Sequence, residues 1–354
     1  MVLLLKEVMK MSRFTVYNNI VTQEKYAKVN PENIQLGEDF LEYLQSIDRS
    51  PDTIKGYRND LKIFWIWCLD FNGNKYFPEL TKREVAKFQN YALNTWNWGS
   101  SRMRRVKSCL SSLSNYIQDI LDDEKEFENY KPIIRKIENP AKTARREKTV
   151  LTDEQVDGLL ETLVEHKEYE CACAIAIAAY SGMRHGELLQ MRTDFFNDDH
   201  FVYDSMWKTD KVRAKGHGKD GLQLNKFVLY GAKRYIDLWM NERTEKGINS
   251  EWMFVTVTVN RNGRIWKKRK DTSSWAKQCT EILGVDFYLH SLRHYTCTKL
   301  HRMNLPAHVI QEFFGWASSE MLQIYNDLTA EDEFGKYFTK DGVKEIKQGS
   351  LTDI

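Results

Sequence analysis

Nowhere in its 354 residues does the chain hold an apolar run approaching the roughly 20 residues that a membrane-spanning helix requires, so a bilayer span is not expected. The opening Met1-Val2-Leu3-Leu4-Leu5-Lys6 places only four consecutive apolar residues after Met1, short of the ~7–15 of a secretory core, and export is not expected either. Cysteine is sparse. The six, at positions 68, 109, 171, 173, 279 and 297, lack the dense regular spacing of a disulfide scaffold, which points to a reducing cytoplasm. Cys171 and Cys173 lie in the apolar run Cys171–Tyr180, where residues two apart on a helix face different ways, so core packing is expected of both rather than metal binding. There is no Gly-x4-Gly-Lys-Ser/Thr loop, no acidic cluster with metal-ligand spacing, no long internal repeat and no low-complexity tract. Charge of one sign is missing as well: 52 Lys and Arg against 50 Asp and Glu leave a formal +2, so the total does not announce a polyanionic partner.

What is present fits a soluble globular protein, with 42% hydrophobic and 29% charged residues and a length that accommodates a small and a larger folding unit. The charge is distributed unevenly. Arg102, Arg104, Arg105 and Lys107 fall within six residues, Lys142, Arg145, Arg146 and Lys148 crowd a second stretch, and Trp266-Lys267-Lys268-Arg269-Lys270 makes a third. Three separated patches can follow one phosphate backbone, although any one alone reads equally well as solvated charge on a helix face.

Residues 1–32 carry no clear period and read as a leader or arm. From there, residues 33–125 read as an all-helical domain. Leu36, Phe40, Leu41 and Leu44 have helical spacing, Ser50-Pro51-Asp52-Thr53 starts a second helix, and Ile54, Tyr57, Leu61, Phe64 and Trp65 give that helix a buried stripe. Thr81-Lys82-Arg83-Glu84 is a capping box, and Met103, Val106, Leu110, Leu113, Ile117 and Leu121 line a further helix that carries the first basic patch near its beginning. Residues 126–148, polar and interrupted by Pro132 and Pro140, read as a linker between domains. A second capping box, Thr152 to Gln155, opens a domain over residues 149–332 that begins helical, passes through a β-rich stretch from about Thr193 to Tyr230, and returns to helices apart from a short strand at Trp252–Val259. Residues 333–354 form a tail. The expected fold class is mainly α with a small antiparallel β-sheet, a helical domain followed by an α+β domain.

Three segments of the second domain hold the unusual chemistry. They are Tyr180-Ser181-Gly182-Met183-Arg184-His185-Gly186-Glu187-Leu188, then His290-Ser291-Leu292-Arg293-His294, then Phe314-Gly315-Trp316 followed by Tyr325. Each is ordinary alone: a lone tyrosine, histidine or tryptophan is usually a core residue, and a lone arginine usually a salt-bridge partner. In this order they resemble the tyrosine recombinases, the phage-integrase-like enzymes. That signature is an Arg in a Gly-x-Arg-x-x-Glu-Leu context, a His-x-x-Arg, a His or Trp, and a Tyr about nine residues later. The resemblance covers about residues 149–330, and 34–121 more loosely through Ser50, Thr53, Tyr57, Leu61 and Phe64, which look like the family's helical core-binding module.

The residue types suit the chemistry the resemblance implies. A phosphodiester attacked by a phenol passes through a five-coordinate species richer in negative charge, and Arg184 and Arg293 would supply cations that stay protonated and present paired donors. Tyr325 would attack phosphorus, form a 3′-phosphotyrosyl bond and release a 5′-hydroxyl. Because a phenol with pKa about 10 is mostly neutral at pH 7, His290 is the candidate proton acceptor or positioner, three residues before Arg293 on one helical face. Trp316 would donate its indole N–H to a phosphate oxygen and pack the nucleophile's helix, and Glu187 would orient the arginine or the neighbouring histidine-bearing helix through hydrogen bonds. The family protonates the leaving oxygen from a hairpin lysine, for which Lys215 in Ala214-Lys215-Gly216-His217-Gly218-Lys219 is the choice and Lys208 the alternative.

The phosphotyrosyl bond keeps the energy of the cleaved one, so no nucleotide, metal or other cofactor is expected. The resemblance also implies a C-shaped clamp on double-stranded DNA at paired recombination sites and a homotetramer linked by exchange of the tail, whose Phe334, Tyr337 and Phe338 give a short apolar face. A directionality or host bending factor would be an accessory partner. Arg102, Arg104, Arg105, Lys107, Arg145 and Arg146 are the expected DNA-binding residues, and the expected location is the nucleoid of a bacterial or archaeal cytoplasm. Integration and excision of a phage or mobile element is the expected use. Resolution of chromosome or plasmid dimers, strand relaxation of the type IB topoisomerase kind, and a non-cleaving DNA-binding protein on the same fold are the alternatives.

Overall fold

In the computed structural model, backbone is described for residue 17 and residues 19–143, 149–216, 218, 220–260, 263–267, 272–318, 320–325, 338–339 and 342–343, and the side chains of 256–267, 323, 338–339 and 342–343 lie outside the description. Arg145, Arg146, most of the leader and most of the tail are therefore outside it. The described chain forms two compact units, one built from the residues up to 143 with Gly218 and Asp220, and one built from residues 149–216 and 221 onward.

The first unit is all helical. After α1 (Gln23–Tyr26) come α2 (Pro31–Ser46), α3 (Pro51–Phe71), α4 (Lys82–Asn94) and α5 (Ser100–Ile120). Their starts follow the local chemistry. Asn30 and Ser50 cap α2 and α3 with a proline in the first turn, where its missing N–H costs nothing. The Thr81–Glu84 capping box closes in both directions. Phe40, Phe64, Trp65, Phe88, Leu110 and Ile117 fill the core, with Phe64 and Phe88 edge to face at 4.8 Å.

Two expected boundaries shift. Val29 is buried in this core and Ile20, Val21 and Tyr26 pack against it, so the end of the supposed leader belongs to the helical unit. The start of the supposed linker does too, because Phe127 and Ile134 are buried and Tyr130 shares a 2.7 Å hydrogen bond with Ser114. Lys107, expected at a DNA-binding position, has a buried side chain whose ammonium donates to the Ile137 carbonyl, so it clamps that segment. Arg104 is held likewise, donating from Nε and Nη2 to the Pro140 carbonyl at 3.0 and 2.6 Å. Arg105 pairs with Asp60 while staying 53% exposed at its side chain, and Arg102 lies over the Trp98 ring.

The second unit is organised on α7 (Tyr169–Ala179), which follows α6 (Asp153–Glu165) with its Thr152–Gln155 capping box. Every residue of α7 from Cys171 to Ala179 is buried. A helix apolar on all sides becomes a hub, and α6, α9 (Lys233–Glu245) and α11 (Leu289–Arg302) pack around it. Cys171 and Cys173 are part of that core, as their setting implied. After α8 (His185–Leu188), β1 (Phe201–Val202), β2 (Met206–Lys208) and β5 (Phe227–Leu229) form an antiparallel sheet in the order β1-β2-β5. Between β2 and β5 the chain extends into a hairpin of β3 (Val212–Ala214) and β4 (Leu222–Leu224). The β-rich stretch starts later than its composition suggests, because Thr193–Phe196 and Asp198–His200 form 3-10 turns.

A second hairpin pairs β6 (Thr256–Asn260) with β7 (Gly263–Lys267), so the strand expected at Trp252–Val259 lies further on and has a partner. Trp252 makes only an isolated bridge to Arg192. Helices α10 (Ser273–Leu283), α12 (Ala307–Phe314) and α13 (Glu320–Tyr325) complete the unit. Among the described residues no helix is long and apolar enough to cross a membrane.

Candidate active site

The site forms where the ends of α7, α11, α12 and α13 meet the first residue before β5. Arg184 caps α8, and the short helix brings Glu187 back to it. The carboxylate accepts the Arg184 backbone N–H at 2.9 Å through Oε2 and Nη1 of the guanidinium at 3.1 Å through Oε1. Glu187 is 2% exposed at its side chain. Burial pushes its pKa up, but Lys226, the Arg184 N–H and the guanidinium groups of Arg184 and Arg293 outweigh that and hold it below the usual carboxylate range. The expectation that Glu187 orients Arg184 describes what the geometry allows.

Arg293 sits on α11 at 1% exposure. Its Nη1 donates to the Gly182 carbonyl at 2.7 Å, while Nε and Nη2 have no hydrogen-bond partner among the described residues. Burial, and then the charge of Arg184, lower its pKa to about 10, so it is a cation at neutral pH. Its guanidinium lies 4.7 Å from the Phe314 ring and 5.1 Å from those of Trp316 and Tyr325. Gly182 makes this packing feasible. Its φ is +60°, and a Cβ there would stand 2.2 Å from Cε1 of Phe314.

Gly315, with φ +64°, ends α12 and turns the chain so that Trp316 stacks on Phe314 at 4.4 Å and on Tyr325 at 5.2 Å. The Trp316 indole N–H is buried without a partner among the described residues. Tyr325 ends α13 at 6% exposure, with its hydroxyl 3.0 Å from His290 Nε2. His290 is exposed as a residue, but its ring is edge-on to those of Tyr325 and His294, at 5.4 and 5.7 Å. Burial, followed by His294, Arg293 and Arg184, lowers its pKa to about 4. A neutral imidazole with its proton on Nδ1 can accept the phenolic proton at Nε2.

Five of the six expected catalytic residues therefore converge: Arg184, His290, Arg293, Trp316 and Tyr325. Lys215 is not in that cluster. It is exposed just after β3, a strand fastened beside α8 by two hydrogen bonds between Gln190 and the Arg213 backbone, at 2.9 and 3.0 Å. Lys208 is exposed on β2.

The lysine inside the cluster is Lys226, which sequence reasoning passed over. It is 3% exposed and its Nζ lies 3.2 Å from Oε2 of Glu187. Burial lowers its pKa, Glu187 opposes that, and Arg293 and Arg184 add to it. The available signal was its place directly before the apolar strand Phe227-Val228-Leu229, where a lysine ordinarily reads as a strand-end charge. His294, whose ring centre is 4.8 Å from that of Tyr325, was visible in the motif and given no role.

Among the described residues, Nε and Nη2 of Arg293 and Nε1 of Trp316 are buried without a hydrogen-bond acceptor, and Nζ of Lys226 has only the Glu187 carboxylate beside it. All four are donors. Buried donors normally find partners, so a cluster of them lacking acceptors is chemically matched to an anion with several oxygens. Among the described residues no group of three or more His, Cys, Asp or Glu side chains is placed to hold a metal ion.

Comparison with known proteins agrees in kind. Residues 149–332 match the phage integrase family, and residues 36–126 match the N-terminal SAM-like domain of phage integrases. The SPbeta prophage-derived recombinase-like protein YomM of Bacillus subtilis is 27% identical over 75% of this chain and 76% of its own length. A tyrosine recombinase of Thermosipho africanus is 25% identical over 87% of this chain and 98% of its own. Among solved structures, a lambda integrase tetramer bound to a Holliday junction shares the fold with a TM-score of 0.57 at 13% identity, over 91% of this chain and 83% of that one.

Proposed function

Because the chain belongs to the phage integrase family of tyrosine recombinases, which cleave and rejoin DNA through a tyrosine intermediate, we propose that Tyr325 is its nucleophile and that the surrounding buried donors hold the scissile phosphate. The observation that carries this reading is the set of donors on Arg293 and Trp316 that lack an acceptor among the described residues, beside a tyrosine hydroxyl already hydrogen-bonded to His290.

In the proposed reaction His290 takes the phenolic proton as the Tyr325 oxygen attacks phosphorus. Arg184 and Arg293 neutralise the non-bridging oxygens, and a 5′-hydroxyl leaves while a 3′-phosphotyrosyl bond forms. Rejoining reverses the step with an incoming 5′-hydroxyl. Lys215, exposed on the hairpin, is assigned to protonate the leaving oxygen. By comparison with arginines in phosphoryl transfer, loss of either arginine costs roughly 10³–10⁵ in rate. A duplex nicked close to the cleavage point tests the reaction, since the short fragment beyond the nick diffuses away and traps the adduct. Wild type should accumulate covalent protein–DNA complex, and Tyr325→Phe should bind the duplex and form none. A wild-type protein that binds specifically and never becomes attached is the non-cleaving alternative.

We assign the biological use to integration and excision of a phage or mobile element, which the prophage-derived relative supports. Recombination between the two ends of the element that carries the gene is the expected result. Activity confined to resolving dimers at a single repeated site would reassign the protein to dimer resolution. A four-protomer assembly on two duplexes is proposed with the lambda integrase tetramer as support. Exchange of residues 333–354, which lie mostly outside the described residues, is proposed as its link. Deleting them should abolish cooperative DNA binding, and unchanged cooperativity would refute the exchange.

A further inference from the structure

Glu187 is a single carboxylate shared by two cations. Its Oε1 takes Nη1 of Arg184 at 3.1 Å, and its Oε2 faces Nζ of Lys226 at 3.2 Å. The side chain of Lys226 leaves from a fixed point. Its backbone N–H donates to Oγ1 of Thr209 at 3.0 Å, its carbonyl accepts the Thr209 N–H at 2.9 Å, and Asn225 donates to the Thr209 carbonyl at 2.6 Å. That double tie joins the end of β2 to the start of β5 and aims the lysine inward at 3% exposure.

The ion pair does not satisfy the ammonium, which among the described residues has no hydrogen-bond partner in donor geometry. A strongly hydrated point charge is costly to bury half-paired, and an uncharged residue of similar length would avoid the cost. With Arg184, Arg293 and Lys226 against Glu187, the cluster carries three positive charges and one negative. Without Lys226, Arg184 would be the one cation in ion-pair contact with Glu187 among the described residues, with Arg293 acting on it from further away, and Oε2, still accepting the Arg184 backbone N–H, could turn its other lone pair to the guanidinium in the bidentate form that arginine favours. The donors of Arg184 would then face inward, away from a phosphate.

We propose that Lys226 is a positioning residue for strand cleavage: by engaging one oxygen of Glu187 it keeps Arg184 from a closed pair and leaves that guanidinium free for the scissile phosphate. This rests on the reading that Arg184 holds the phosphate, so the test begins with adduct formation by the wild-type protein.

The experiment is single-turnover cleavage of a nicked duplex by the full chain, with DNA affinity measured in parallel. Lys226→Met should lower the cleavage rate about 10²–10³-fold while affinity changes less than about threefold, because many contacts along the backbone carry binding. Lys226→Arg, which keeps the charge, should recover to within about tenfold of wild type. The discriminating variant is Lys226→Met combined with Glu187→Gln. Neutralising Glu187 removes what captures Arg184, so the double variant should cleave at least tenfold faster than Lys226→Met alone.

A sulfur at the bridging 5′ position, which leaves without a proton, supplies the second readout. It should not rescue Lys226→Met, because the lysine acts through Glu187 and not on the leaving group. The proposal is overturned if Lys226→Met cleaves within threefold of wild type, if the double variant is no faster than the single one, or if the 5′-thio substrate restores the rate. Absence of any wild-type adduct would instead overturn the functional reading, and this proposal with it.

Discussion

Gly182 is where a single methyl group should disturb fold and chemistry together. A Cβ at this position would lie 2.2, 2.8 and 3.2 Å from Cε1, Cζ and Cδ1 of Phe314, and the residue would have to hold φ at +60°. Phe314 is 1% exposed and stacked 4.4 Å from Trp316, so its ring has no open side toward which to retreat. Left-handed backbone strain of about 1–2 kcal/mol and overpacking of about 1–3 kcal/mol sum to roughly 2–5 kcal/mol for Gly182→Ala. In a unit of this size that corresponds to a melting temperature lower by at least about 4 °C.

The chemistry should fall further than the stability does. Displacing Phe314 shifts the ring that lies against the Arg293 guanidinium, which also donates to the Gly182 carbonyl. Thermal unfolding and single-turnover cleavage below the melting range separate the two effects. Shortening the obstacle should restore part of both, so Gly182→Ala with Phe314→Leu should show a coupling of about 1 kcal/mol or more relative to the two single variants. Unchanged melting and cleavage for Gly182→Ala, or strictly additive effects in the double variant, would refute this account of how Arg293 is held.

Three further outcomes follow from the geometry. His290, lowered to about 4, is neutral at pH 7, so the cleavage rate should be flat from about pH 8 to 5.5 and fall only as pH approaches 4; a break near the ordinary histidine value of 6.5 would contradict the assignment. Asp60 is fully buried and its pKa is raised to about 6, first by burial, with Arg105 and Arg102 opposing. A carboxyl raised on folding destabilises fully above its folded pKa and not at all below its unfolded one. The helical unit should therefore lose on the order of 3 kcal/mol between pH 4 and 7, and Asp60→Asn should flatten that slope in a pH series of denaturant titrations. Lys107→Met should destabilise the helical unit by about 1–2 kcal/mol and leave the salt dependence of DNA binding unchanged, whereas a slope reduced by about one with stability intact would return Lys107 to the DNA-binding face.

Local chemistry was the most legible layer of the sequence. The capping boxes at Thr81 and Thr152 mark their helix starts because the reciprocal hydrogen bonds are made within four residues. His290 and Arg293 share a helical face by spacing alone, and the apolar run after Cys171 could only be a buried helix. The family order of Arg184, His290, Arg293, Trp316 and Tyr325 added what spacing cannot supply, the convergence of residues far apart in the chain.

What escaped depended on tertiary partners. Lys226 drew no attention and Lys107 read as a DNA-binding lysine, since nothing nearby in sequence reveals that Glu187 or the Ile137 carbonyl waits for their ammonium groups. The turns at Thr193–His200 carry the aromatic residues of a strand, yet their backbone bonds stay local. The β6–β7 hairpin was half visible, because its second strand begins the basic run and was read as charge.

The most direct test of the account is to locate the covalent bond itself. Wild-type protein trapped on a nicked duplex should, after digestion of both components, yield in mass spectrometry one nucleotide-bearing peptide, modified on the phenolic oxygen of Tyr325 through a 3′-phosphate. A modified peptide from any other part of the chain, or adduct formation undiminished in Tyr325→Phe, would contradict it.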